Sequence, residues 1–120
     1  MYYKGGANGN PLFEKADLLA KSVYMVTNKF PKHELYGMTS QVRRAALSVI
    51  LNLIEGYARI SKNENKHFQS IAYGSLKETM YLIDFSKNQK YLSKEDHDLL
   101  SRYTEELSKI LWTILYKNKI

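Results

Sequence analysis

The stretch Gln41–Arg59, QVRRAALSVILNLIEGYAR, decides the fold because it is too apolar for an ordinary surface helix. At ~100° per residue, Val42, Ala45, Ala46, Val49, Leu53, Gly56 and Tyr57 form one apolar stripe suited to a core. Leu47, Ile50, Ile54 and Ala58 form a second, headed by Arg43. The polar remainder, Gln41, Arg44, Ser48, Asn52, Glu55 and Arg59, leaves a single narrow wet stripe. Such a helix belongs at the centre of a bundle or at a contact between subunits. A bundle with one buried stripe per helix gives the second stripe no cover, so Leu47, Ile50 and Ile54 are expected at an oligomer interface.

Working outward, Asn10 suits a helix cap and Pro11 the first helical position. Leu12, Ala16, Leu19, Ala20, Val23, Thr27 and Phe30 then recur at helical spacing up to Pro31, which predicts a helix over 11–30. PKHELYG reads as a turn with Leu35 and Tyr36 as apolar plugs. The second helix starts near Thr39 or Ser40 and ends near Ile60. Ser61 and Glu64 stand at capping-box spacing and open a third, with Phe68, Ile71, Ala72, Ser75, Leu76, Thr79, Leu82, Ile83 and Ser86 on its buried face, to about Lys90. Ser93 precedes the acidic run KEDHD, whose charges suit the positive end of a helix dipole, and a fourth helix runs over about 94–117. Period-two alternation is missing, and no Asn-Gly or Asp-Gly pair separates apolar runs. The expectation is an all-α, antiparallel up-down-up-down four-helix bundle over 11–120, behind a disordered Gly- and Asn-rich leader at 1–10.

Composition narrows the function classes. A chain of 120 residues suits one domain. Its net charge of +6 and pI near 9.4 favour polyanions, with nucleic acid the first candidate. Cysteine is absent, which excludes disulfides, thiolate metal sites and cysteine nucleophiles. No apolar run approaches the ~18 residues of a membrane span, and the opening MYYKGGANGN is unlike a signal peptide. The expected location is the cytoplasm.

The segment YGMTSQVRRAALSVILNLIEGYARISKNE, together with LFEKADLLAKSVY, FPKHELYG and FQSIAYGSLKE, resembles the bacterial four-helix bundle proteins encoded by intervening sequences of large-subunit ribosomal RNA genes. That family includes the accessory variability determinants of diversity-generating retroelements. The resemblance covers about 11–117 and is carried most specifically by Tyr36-Gly37, Ser40-Gln41, Arg43-Arg44-Ala45-Ala46, Asn52, Glu55-Gly56 and Gly74-Ser75-Leu76. It implies a homopentamer without enzymatic activity, able to bind nucleic acid in the retroelement branch, where a reverse transcriptase is the partner. Ile50, Leu51 and Ile54 stand where the family usually has a proline and small residues, and Phe13 where it often has Trp.

Arg43 and Arg44 near the start of the second helix, with Arg59, Lys62 and Lys66 near the following turn, are the candidate phosphate contacts. The two groups lie at opposite ends of one helix, and Glu55 stands four residues before Arg59 in the favourable ion-pair order. Gly56 and Gly74 each cost a helix roughly 1 kcal/mol relative to Ala, so close helix approach is expected at both. Asn52 is read as capping a carbonyl or meeting another subunit. Tyr24, Tyr57 and Tyr103 fall on apolar faces, where packing explains them better than base stacking. Glu64 and His67 form one E-x-x-H, but the second pair that a di-iron bundle needs is missing, and Glu64 already serves the capping box. No phosphate-cradling glycine loop or nucleophile elbow is present. The sequence therefore points to a non-catalytic, cofactor-free homo-oligomer associated with RNA or DNA. The other reading open at this point is an interaction module whose basic surface meets an acidic protein.

Overall fold

The structure, a computed structural model, describes residues 10–117. It consists of α1 (Pro11–Thr27), a short 3-10 turn (Lys32–Glu34), α2 (Met38–Tyr57), α3 (Lys62–Asn88) and α4 (Lys94–Tyr116), with no strand among the described residues. Apart from Asn10, the leader expected at 1–10 lies outside the described residues, as do 118–120.

The helices run antiparallel to their neighbours, as their contacts show. Phe13 meets Tyr57 and Tyr24 meets Arg43 between α1 and α2. Between α2 and α3, Ser48 meets Ser75 while Gly56 faces Asn65. Tyr73 meets Tyr116 and Asp84 meets His97 between α3 and α4. Lys15 with Glu106, and Lys29 in the turn just after α1 with Asp96, join that side of the bundle to α4. In every pair one number rises as the other falls, which is the up-down-up-down arrangement.

Three of the four α-helices are capped by the side chain of the residue that precedes them. Asn10 Oδ1 accepts from the Leu12 amide, Ser61 Oγ from those of Asn63 and Glu64, and Ser93 Oγ from that of Asp96. Gly37, which precedes α2, has no side chain to offer. Glu34 takes over: Oε1 accepts from the Met38 amide at 2.9 Å, and Oε2 accepts from the Tyr91 hydroxyl at 2.8 Å. These bonds, the Met38 amide first, hold the Glu34 carboxyl below its ordinary range, and the Glu34 partner holds the Tyr91 phenol above its own. One carboxylate thus ties the loop before α2 to the loop between α3 and α4.

Helix ends differ from expectation for local reasons. The α1 helix stops at Thr27, three residues before the expected Phe30. The Lys29 and Phe30 amides bond to Val26 and Thr27, tightening the last turn, and Pro31 disfavours helical backbone just before it. Phe30 nevertheless remains buried. The α2 helix ends at Tyr57 rather than near Ile60, with the Arg59 amide on the Gly56 carbonyl. After α3, Lys90 adopts φ 66° and the Tyr91 amide reaches back to the Ser86 carbonyl at 2.9 Å, a left-handed helix stop without the usual glycine.

All four helices feed one hydrophobic cluster. From the first α2 stripe, Val42, Ala45, Ala46, Val49, Leu53 and Gly56 are buried, while Tyr57 is exposed apart from its edge contact with Phe13. Within a single chain the second stripe is more covered than its pattern suggests. Ile50 is only 5% exposed, and Leu47 and Ile54 are half-buried and packed against the core. The α1 helix supplies cover on that flank: Ala20 and Tyr24 share a groove with Leu47, Ile50 and Leu51. Among the aliphatic side chains of α2, Leu51 is left most open, 57% exposed.

Between α2 and α3 the contact is close and partly polar. The Ser48 and Ser75 hydroxyls are 2.7 Å apart, and Asn52 Nδ2 donates to the Ser48 carbonyl and hydroxyl at 2.8 and 3.0 Å. Asn52 is therefore a carbonyl cap within its own chain. A methyl group at Gly56 would stand 2.9 Å from Phe68 Cβ and 3.1 Å from the Asn65 carbonyl oxygen, so that glycine is required by the approach of α3. Gly74 is different: it is exposed, with open space where its Cβ would be.

Candidate nucleic-acid interface

The five cations singled out by the sequence occupy unlike surroundings. Arg43 is occupied within the chain. Its Nε donates to Thr27 Oγ1 at 2.8 Å, one terminal nitrogen donates to Asn28 Oδ1 at 3.0 Å, and the guanidinium lies 4.6 Å from the centre of the Tyr24 ring. It fastens α2 to the end of α1. Tyr24, expected to be packing, is packed by this cation and remains on the surface.

Arg59 is also engaged. It bonds Glu55 at 2.6 Å and stacks 4.9 Å from the Phe68 ring centre, which bears out the ion pair read from the spacing. Arg44 is exposed at the start of α2, at the opposite end of a helix about 30 Å long from Arg59, Lys62 and Lys66. Lys62 and Lys66, four residues apart in the first turns of α3, share one face, and neither is in an ion pair among the described residues. The structure therefore keeps Lys62 and Lys66 together and separates them from Arg43 and Arg44.

Lys66 borders residues that the sequence reading did not single out. With His67, Ser70 and Tyr116 it lines a groove of about 260 Å³ between the start of α3 and the end of α4. From Tyr116 a row of rings continues along both helices: Trp112 lies 6.0 Å from Tyr116, and Tyr73 lies 6.1 Å from Tyr116 on the other helix. Lys77 closes the row, its ammonium 5.1 Å from the Tyr73 ring centre and donating to Ser108 Oγ at 3.2 Å. Trp112 is 49% exposed and Tyr116 38%. The signal was in the spacing. Lys62, Lys66, Tyr73 and Lys77 repeat on one face of α3, and Lys109, Trp112 and Tyr116 on one face of α4.

Among the described residues no group of His, Asp and Glu is arranged to hold a metal ion. Nor, among the described residues, is any helix long and apolar enough to cross a membrane.

The architecture is that of a small, basic, all-α four-helix bundle protein. Its sequence matches the family model of the 23S rRNA-intervening sequence protein over residues 10–113, and the chain belongs to that family. A crystal structure of a protein of unknown function from the S23 ribosomal protein family of Bacteroides thetaiotaomicron VPI-5482 has the same fold. It is 20% identical with a TM-score of 0.77, over 86% of this chain and 96% of the other. No curated protein matches the chain.

Proposed function

We propose that this protein is a non-catalytic accessory protein of the cytoplasm that assembles into a homo-oligomer, a pentamer in the family pattern, and binds RNA or DNA with little sequence preference. The observation that carries the reading is the basic face of α3, where Lys62 and Lys66 make no ion pair among the described residues, in a chain of net charge +6. Polyanion binding of this kind weakens steeply with salt because phosphate contacts release counterions. Self-association would multiply a few contacts per subunit into useful avidity. The groove between α1 and α2, with Leu51 exposed on its rim, is the surface that supports self-association. A reverse transcriptase is the further protein partner that this reading carries if the chain is encoded in a retroelement.

Two measurements test the reading. Light scattering after size exclusion is expected to give five copies, and L51D, a change on the surface of a single chain, to dissociate them. A stable monomer at micromolar concentration would remove the oligomer. Titration of labelled RNA and DNA at several salt concentrations is expected to show binding that K62E and K66E weaken. Absence of binding at low salt would leave the acidic-protein partner as the better account.

A further inference from the structure

We infer that Trp112 and Tyr116, backed by Tyr73, form a stacking ledge for the unpaired bases of single-stranded RNA or DNA, with Lys66 and Lys77 at the phosphates of the same strand. The inference rests on the nucleic-acid reading above and adds to it the form of nucleic acid bound and the surface that takes it.

The rings are consecutive and span two helices, with centres about 6 Å apart at each step. Trp112 and Tyr116 are exposed to water and stand outside the hydrophobic cluster that holds the bundle together, whereas Tyr73 is half-buried against that cluster and fixes the ring of Tyr116 from behind. Aromatic faces of this kind accept any base, because every base has a π-face, which agrees with the absence of a base-reading module in the sequence. Cations bracket the row, with Lys66 beside Tyr116 in the groove between α3 and α4 and Lys77 over Tyr73. Lys109 stands one turn before Trp112 on α4. Rings flanked by ammonium groups match a chain that alternates flat bases with phosphates. They match a duplex poorly, since its base faces are stacked on each other and unavailable.

Trp112 is the sole tryptophan of the chain, so its emission reports on the ledge directly. The full-length protein is titrated at low salt with short oligouridylate, oligothymidylate and a duplex of equal length, following Trp112 emission and the anisotropy of an end-labelled strand. Both single strands are expected to quench Trp112 and to bind more tightly than the duplex. The ratio of the two single strands reads any preference for RNA over DNA. Loss of one stack in W112A or Y116A is expected to weaken single-strand binding about fivefold or more, while W112F retains it. Circular dichroism and size exclusion should match the wild type for all three. Anisotropy that reports binding while Trp112 emission stays unchanged and W112A binds like the wild type would overturn the ledge and leave the broader nucleic-acid reading standing. Failure of every oligonucleotide to bind would overturn both.

Discussion

The Arg43 guanidinium donates to the Thr27 hydroxyl at 2.8 Å, and that hydroxyl donates in turn to the Val23 carbonyl at 2.7 Å. A cation that reads as a phosphate ligand in the sequence is thereby part of the join between two helices. Arg43→Ala is expected to lower stability by about 1.5–3 kcal/mol, the range for hydrogen bonds to a charged group. Nucleic-acid affinity per folded molecule should not change. K66E should do the opposite, leaving the urea midpoint alone and weakening binding. A loss of binding in Arg43→Ala with an unchanged midpoint would contradict this division.

Two helical glycines should respond to alanine with opposite signs. Gly74 has open space at its Cβ, so Gly74→Ala should gain roughly 1 kcal/mol from helix propensity alone. At Gly56 the added methyl would press on the Asn65 carbonyl and Phe68 Cβ, neither of which is the loose end of a side chain, and a net loss is expected. Urea unfolding of both variants reads the two signs in one experiment.

The tie between Glu34 and Tyr91 gives stability a dependence on pH at both ends. The Glu34 carboxyl is held below its ordinary 4.5, so its contribution is complete above that value and fades as pH falls through the lower folded value. The Tyr91 phenol is held above its ordinary 10.0, so its contribution is complete below that value and fades as pH rises through the higher folded value. The difference in urea midpoint between wild type and Tyr91→Phe should therefore be largest between these limits and shrink on both sides. A difference that does not vary with pH would mean that the bond contributes nothing.

Lys90 occupies a left-handed backbone position that a β-carbon disfavours, with φ 66°. Lys90→Gly should raise stability by about 1 kcal/mol. Thermal unfolding at fixed salt is the check, since the change also removes a charge.

Much of the fold was legible because capping residues and apolar spacing are local signals. Asn10, Ser61 and Ser93 cap the helices they were read to start, and the core stripe of α2 is buried except for Tyr57. The exposure of the second stripe was not legible, since it depends on how deeply α1 settles beside Leu47 and Ile50, a tertiary matter. The candidate site divided in the same way. Spacing reveals that Lys62 and Lys66 share a face, and that Glu55 can reach Arg59. It does not reveal that Arg43 turns back toward Thr27, or that Tyr73 and Tyr116, far apart in sequence, stand edge to face. Gly74 shows the limit of the glycine argument: a helical glycine marks a close approach only where another element arrives, and here none does.

The order of the helices around the bundle also bears on how it assembles in time. Neighbours α1–α2, α2–α3 and α3–α4 are each joined by a short connection and meet as hairpins, whereas α1 and α4 meet only after the whole chain has turned back. Contacts close in sequence form first, because little chain entropy is lost in bringing them together. The topology therefore predicts a rapid zipping of three hairpins followed by closure of one seam. At that seam the exposed pairs Lys15–Glu106 and Lys29–Asp96 are the last ionic contacts to form in folding and the first to part when the bundle opens.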